Sequence, residues 1–503
     1  MSIRRNIIAN YASQAYISAV GIALLPLYVE YMGTDAYGLI GFFSVLQAWF
    51  SLLDAGLSPA ISRETARYHA GALAPPEFLR LFRALNLLFI LAAAFGGMCL
   101  YLANSYIVTA WLNIGSLSQE EVLYSLNIMA LTVALRLIGA LYRGVITGAE
   151  KFIWLSGFNS LITSIRFLGV FFSMERWGFS PEVFFTHQLV VAVVESGALY
   201  WRSVLILPNR SYINERVGLS LTPMKPILRF SLPMACTSLI WIMITQTDRF
   251  VLSGILSLTD YGYFTMAVLA ASGVTTVAGP ISNAIMPRLA KHHAAADRYA
   301  MLALYRSSTR WVTAIAGTIA LTMFVAAKPL VFAWSGSLYL AERVAPILQL
   351  YVLGNLVLTV SAFPFYLQYA LGNIRYHVIG NIGLATFLFP CIVFATKNFG
   401  AIGAGFVWLG VNLTYFVFWI PYVHSKVAPG MHLQWLKVDV FRTLVFPTVL
   451  SAFIFILNIG SEDRVSAFIY TLAVGMTVAF AASRAHAEFK EKIAEFFFVG
   501  KSS

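Results

Sequence analysis

Six ionisable side chains of this 503-residue chain, inside apolar stretches or near their ends, are the first candidates for chemistry: Asp54, Arg136, Arg166, Glu195 and the adjacent pair Asp248–Arg249. A charge in hydrocarbon is costly, so such residues normally face a protein interior or a water-filled path for polar solutes. Arg136 and Arg166 would put positive potential into a hydrated cavity, suited to an anionic solute. Their structural alternative is to pair with Glu195 or to bind a helix-end carbonyl. Asp54, in Leu53-Asp54-Ala55-Gly56-Leu57 ahead of Pro59, has the chemistry to cap a helix break; cation coupling or solute contact is its functional alternative. Asp248 and Arg249 read first as a local turn, with Asp248 also a coupling candidate. Uncharged polar groups add to the pattern. Asn10, Ser13 and Gln14 share one helix face by their spacing, and Thr245 and Gln246 occupy a later segment. They line a hydrated cavity or form interhelical hydrogen bonds.

The elements that must hold these groups are membrane helices. The chain is 59% hydrophobic and 11% charged, with mean hydropathy +0.76, whereas soluble domains carry about 25% charged residues. Apolar runs of about 20 residues recur along it, each long enough to cross a bilayer. We place spans at roughly 5–30, 37–62, 83–104, 122–146, 152–174, 182–204, 229–254, 260–287, 306–330, 344–371, 376–396, 400–423, 440–459 and 464–483. The expected fold is all-α and polytopic, with about fourteen transmembrane helices. The net charge of +12 does not form a nucleic-acid stripe. Of the 34 Lys and Arg, about 26 fall on the face that carries both termini and about six on the other. That bias puts both termini in the cytoplasm. The N-terminal run reads as a retained helix, not a cleaved signal. The three cysteines, all in apolar runs, read as small buried hydrophobes. A charged surface helix is expected after about residue 484.

A repeat organises the spans. Gly33-Thr34-Asp35-Ala36-Tyr37-Gly38 is echoed by Leu258-Thr259-Asp260-Tyr261-Gly262, about 224 residues on. Arg63 is echoed by Arg288, Thr147-Gly148-Ala149-Glu150-Lys151-Phe152 by Leu371-Gly372-Asn373-Ile374-Arg375-Tyr376, and Trp177-Gly178 by Phe399-Gly400. Like-oriented repeats imply two pseudo-symmetric six-helix lobes, 1–204 and 229–424. A basic cytoplasmic linker at 205–228 joins them, and 425–503 holds two further helices and the tail. Pro26, Pro59, Pro233, Pro280 and Pro287 in the leading helices could bend them for alternating access. Arg63 and Arg288 end equivalent spans on the cytoplasmic side. They anchor topology there, or make the first contact with an incoming diphosphate, which a guanidinium fork suits.

No phosphate-cradling G-x-x-x-x-G-K-[ST] loop is present, nor an H-E-x-x-H, G-x-S-x-G or paired-Cys pattern. The histidine pair His292–His293 reads as a solvated loop. The outer loops are short, which argues against a membrane glycan polymerase. We therefore expect a transporter and not an enzyme, with no cofactor and no metal.

The segments Met32–Gly38, Leu53–Leu57 running to Arg63, Thr147–Phe152, Asp248–Leu252 leading to Tyr263, and Gly400–Ala404 are in order and spaced as in a known group. Through them the chain resembles the polysaccharide-transport branch of the multidrug/oligosaccharidyl-lipid/polysaccharide exporter superfamily. The resemblance covers roughly 5–425. It implies movement of an undecaprenyl-diphosphate-linked oligosaccharide from the inner to the outer leaflet of the bacterial cytoplasmic membrane, for O-antigen, capsule or exopolysaccharide synthesis. Other polysaccharide-assembly membrane proteins are its implied partners, and nucleic acid is not. The resemblance also implies a cationic cavity, carried over by location to Arg136, Arg166 and Arg249. A lipid II flippase and a cation-coupled multidrug antiporter of the same superfamily are the alternatives. An inside-negative potential would favour outward transfer of the cargo's charge by about 2.3 kcal/mol per charge per 100 mV. Asp54 or Glu195 would add cation coupling.

Overall fold

The computed structural model describes residues 3–208, 224–276, 278–457 and 463–484. The tail and most of the basic linker lie outside them. The described residues are helical almost throughout: α1 (Ile3–Ala23), α2 (Leu25–Met32), α3 (Thr34–Phe50), α4 (Leu57–His69), α5 (Pro75–Tyr106), α6 (Gln119–Gly148), α7 (Phe152–Phe167), α8 (Gly169–Trp177), α9 (Pro181–Val204), α10 (Met224–Ile255), α11 (Leu258–Thr276) and α12 (Ala278–Ala294). They continue with α13 (Arg298–Val325), α14 (Ala327–Ser335), α15 (Leu338–Ser361), α16 (Phe363–Ala370), α17 (Arg375–Thr414), α18 (Ile420–Val427), the short α19 (His432–Gln434), α20 (Arg442–Leu457) and α21 (Arg464–Arg484). Among the described residues, 11 stretches are long and apolar enough to cross a membrane. One of them, Arg375–Val427, is two helices merged across Gly400, whose φ of 60° breaks it. With α10 and α11–α12, the described helices are consistent with fourteen spans. The protein is a multi-pass membrane protein.

The breaks follow from residue chemistry. Gly33 (φ 84°) ends α2. After a 3₁₀ turn at Ser51–Asp54, Ala55 (φ 47°) and Gly56 (φ 72°) adopt left-handed backbone before α4 begins. Asp54 Oδ1 accepts from Ser58 N at 2.8 Å and from Ser58 Oγ at 2.9 Å, and so caps the new helix. The expected second span is thus interrupted, and α4 runs on to His69. Ser118 and Glu121 form a reciprocal capping box at the start of α6. Cys99, Cys236 and Cys391 are unpaired and exposed, not buried as expected.

The chain divides into two compact units, Met1–Gly262 and Tyr263–Ser503. In the first, α4, α5, α6 and α9 surround a core containing Phe78, Phe89, Leu141 and Val145. The polar face of α1 is only partly used in helix pairing: Ser13 Oγ donates to Ser156 O at 2.9 Å, and Tyr16 meets Ser164 at 2.7 Å on α7, whereas Asn10 and Gln14 are exposed and Gln14 Nε2 donates to Asn10 Oδ1 at 3.3 Å within α1. At one end of this unit the start of α3 lies against the start of α11. Gly38 admits the Leu258 carbonyl, and Gly262 admits that of Thr34, where an added Cβ would lie 2.6 Å away. These are repeat-related positions, so the two echoed Tyr-Gly segments interlock reciprocally. Asp35 fastens the seam, accepting from Ser116 N (2.7 Å), Ser116 Oγ (2.6 Å) and Thr259 Oγ1. Asp35→Ala is expected to cost about 1.5 kcal/mol locally, the low end for hydrogen bonds to a charged group, because the donors that lose the carboxylate are exposed at Ser116 and half-buried at Thr259. Hydrogen exchange should accelerate across the segments around Ser116 and Thr259 and stay unchanged in α6 and α9. Unaltered exchange at the seam would show that the carboxylate holds nothing there.

In the second unit, α13, α15 and α17 pack with α20 and α21. Leu321, Val325, Val474 and Val478 form a small core between the last helix and α13.

Candidate functional site: a cationic pocket on α6, α7 and α9

Arg136 and Arg143 project from α6, Arg166 from the end of α7 and Glu195 from α9. They meet in a cavity of about 190 Å³ lined also by Gly139, Ser196 and Leu199. Glu195 is 3% exposed. It splits its carboxylate between two cations: Oε1 accepts from Arg143 Nη2, and Oε2 from Arg166 Nη2 at 2.6 Å. Arg143 also donates to Asn159 Oδ1 at 2.6 Å.

Arg136 is held differently. Its guanidinium donates to the amide oxygens of Gln47 and Gln188, the latter at 3.3 Å, and its carbon lies 5.2 Å from the Phe43 ring centroid. Gln188 Nε2 in turn donates to the Arg166 carbonyl at 3.1 Å. Neutral amides and a ring face thus position Arg136 without cancelling its charge. The Nε atoms of Arg136 and Arg166 are buried and have no hydrogen-bond partner. An unsatisfied buried donor costs about 1–3 kcal/mol, so the pocket is short of acceptors. With three cations against one carboxylate, it suits an oxygen-rich anion.

The structure brings Arg136, Arg166 and Glu195 together and adds Arg143, which sequence reasoning missed. Gln47, Gln188 and Asn159 were missed too; uncharged amides in apolar runs carry no distinguishing pattern. Arg249 does not line this pocket. Its Nε is buried without a partner, and its backbone N–H donates to Asp248 Oδ1 at 2.7 Å; both residues lie inside helix α10, not in the local turn expected of them. Asp54 serves the helix break described above. Arg63 is exposed and 3.6 Å from Glu64; Arg288 is exposed near the end of α12. Gln246 Oε1 is buried and unpartnered, while Thr245 bonds back to Trp241 O at 2.9 Å.

Compared with known proteins, residues 3–293 match the polysaccharide biosynthesis protein family. The chain belongs to that family. A Shigella flexneri protein described as a candidate O-antigen transporter is 20% identical over 294 residues, 58% of this chain and 67% of that protein. Among solved structures, the lipid II flippase MurJ in an inward closed conformation superposes with TM-score 0.72 at 13% identity, covering 97% of this chain and 99% of MurJ. An inward-facing multidrug resistance transporter of the MATE family, in the same exporter superfamily, gives 0.64 at 14% identity, with 84% and 99% covered. At such identities the likeness is one of fold. Family and fold are those of flippases and transporters, not of enzymes.

Proposed function

We propose that this protein flips an undecaprenyl-diphosphate-linked oligosaccharide repeat unit from the inner to the outer leaflet of the bacterial cytoplasmic membrane, by alternating access of its two repeat-related lobes (1–204 and 229–424). Both termini lie in the cytoplasm. The observation that carries the reading is the membrane-embedded pocket holding Arg136, Arg143 and Arg166 against the single carboxylate Glu195. A sugar diphosphate cannot cross hydrocarbon with its charges unpaired. A lined cationic pocket within the span would hold that diphosphate while the polyprenyl tail stays in lipid. Arg63 and Arg288, both exposed, would make the first contact with the diphosphate.

Deleting the gene in its host and analysing polyprenyl-diphosphate-linked glycans by mass spectrometry tests the function. Accumulation of a completed repeat unit with loss of surface polymer is expected. Accumulated lipid II would move the assignment to the peptidoglycan branch, and an unchanged pool with greater drug sensitivity to the antiporters. Arg136→Gln tests the site in the same host. Loss of charge-assisted hydrogen bonds worth about 1.5–3 kcal/mol predicts roughly a 10- to 150-fold loss of transport at unchanged membrane levels of the protein. Wild-type polymer output would remove Arg136 from the site.

A further inference from the structure

The pocket's charges add up in a way the proposed function leaves unused. Three guanidiniums face one carboxylate, and the other polar neighbours that hold them, Gln47, Gln188 and Asn159, are neutral. The formal balance is therefore two positive charges. A phosphodiester carries one negative charge and a diphosphate diester two. We propose that Glu195 is a specificity-determining residue that sets this pocket to the charge of a dianion, so that it takes a sugar-diphosphate lipid in preference to a sugar-monophosphate lipid. The proposal rests on the reading that the pocket binds the cargo's diphosphate.

The geometry supports a charge-setting role. Glu195 gives one oxygen to each of two arginines and does not lock a single guanidinium in a two-bond fork. Each arginine keeps other donors for a ligand, and the buried Nε of Arg166 is among those without a partner. Arg136 takes no bond from the carboxylate. The site thus retains two uncompensated charges, and both Arg136 and Arg166 have an unmatched donor. Without Glu195 there would be three such charges. Binding would then be tighter for any polyanion, and release slower. A transporter must let go of what it binds, so a partly satisfied pocket favours turnover.

The test uses the full-length protein in lipid nanodiscs and two short-chain probes, citronellyl-diphosphate-linked and citronellyl-monophosphate-linked N-acetylglucosamine. The wild type should prefer the diphosphate by about tenfold or more. Glu195→Gln should tighten diphosphate binding about tenfold and steepen its salt dependence, while slowing translocation. Arg136→Gln should weaken binding. The double variant Arg136→Gln/Glu195→Gln restores a balance of two and should return diphosphate affinity to within about threefold of wild type. Glu342→Gln, which removes an exposed carboxylate paired with Lys328 at 2.9 Å, should change nothing. Thermal melts verify that each variant is folded; should Glu195→Gln not fold, the wild type's own preference between the two probes carries the test, and equal affinity for diphosphate and monophosphate overturns the proposal. Weaker diphosphate binding in Glu195→Gln would make Glu195 a fastener between helices and overturn the proposal. A double variant no better than Arg136→Gln alone would do the same. If single substitutions of Arg136, Arg143 and Arg166 all left diphosphate binding intact, the pocket reading itself would fail, and this inference with it.

Discussion

Replacing Asp439 with asparagine is expected to cost the second unit about 3 kcal/mol, the lower end for breaking a buried ion pair. Asp439 is 0% exposed, on a π-helical turn (Trp435–Phe441) just before α20. It accepts from Arg306 Nε at 2.6 Å and Nη2 at 3.4 Å, and from Arg310 Nη1 at 3.3 Å. The two arginines sit one turn apart on α13, so one carboxylate ties that helix to the segment leading into α20. Around it, Trp435 Nε1 donates to Thr309 Oγ1 at 3.1 Å, and Tyr305 meets His424 Nε2 at 2.8 Å. Asparagine keeps the shape but takes from both guanidiniums the negative charge that Asp439 supplies. Because both arginine side chains are partly exposed, at 21% and 25%, water recovers some of the loss, and we take the lower figure. The expected readout is a melting temperature lower by several degrees in detergent. Replacing all three residues with apolar ones, Arg306→Met/Arg310→Met/Asp439→Leu, should restore stability beyond the single variant, since apolar packing often matches a buried ion network. A triple variant less stable than Asp439→Asn would refute this account.

What the sequence shows of this molecule depends on how local the signal is. The spans were legible because a bilayer demands about 20 apolar residues in a row, and the described helices are consistent with them. Asp54 was legible as a cap because the carboxylate, the following glycine and Ser58 act within one turn. Arg136, Arg166 and Glu195 stood out as charges far from span ends. Arg143 did not, since it lies near the end of its span, where a cation is an ordinary topology signal. Asp439 precedes the apolar run of its span and looked like a loop residue. The helix in fact reaches back through Trp435 and buries it. Arg249 was grouped with the pocket by depth alone; rotation about the helix axis, which decides what a side chain faces, leaves little trace in a single sequence. The amides on Arg136 come from α3 and α9, and only tertiary packing identifies them.

Packing also decides the second large effect, at Gly148. Gly144 and Gly148 form a small-x-x-x-small pair on α6, and α4 crosses them at Ser58 and Ser62. A Cβ at Gly144 would lie 2.7 Å from the Ser58 carbonyl oxygen and 2.6 Å from the Ile61 Cγ2. One at Gly148 would press still harder on the Ser62 carbonyl and lie 2.7 Å from the Thr65 Cβ. Backbone cannot rotate aside as a side chain can, so a larger residue must move the helices apart. The same α6 carries Arg136 and Arg143, whose partners stand on α3, α7 and α9. Gly148→Val is therefore expected to exceed the usual overpacking cost of about 1–3 kcal/mol. It should also lower transport about tenfold or more, as a shift of about 1 Å in positioning groups can do. Gly148→Ala should fall between it and wild type. Gly157, inside α7 with nothing within 4 Å of an added Cβ, provides the contrast. Gly157→Ala should be neutral or stabilising by about 0.5–1 kcal/mol, the ordinary gain of a helical alanine. Melting curves and surface-polymer yield of the three variants decide it. If Gly148→Val matched Gly157→Ala in both, the α4–α6 crossing would not be what holds the arginines in place.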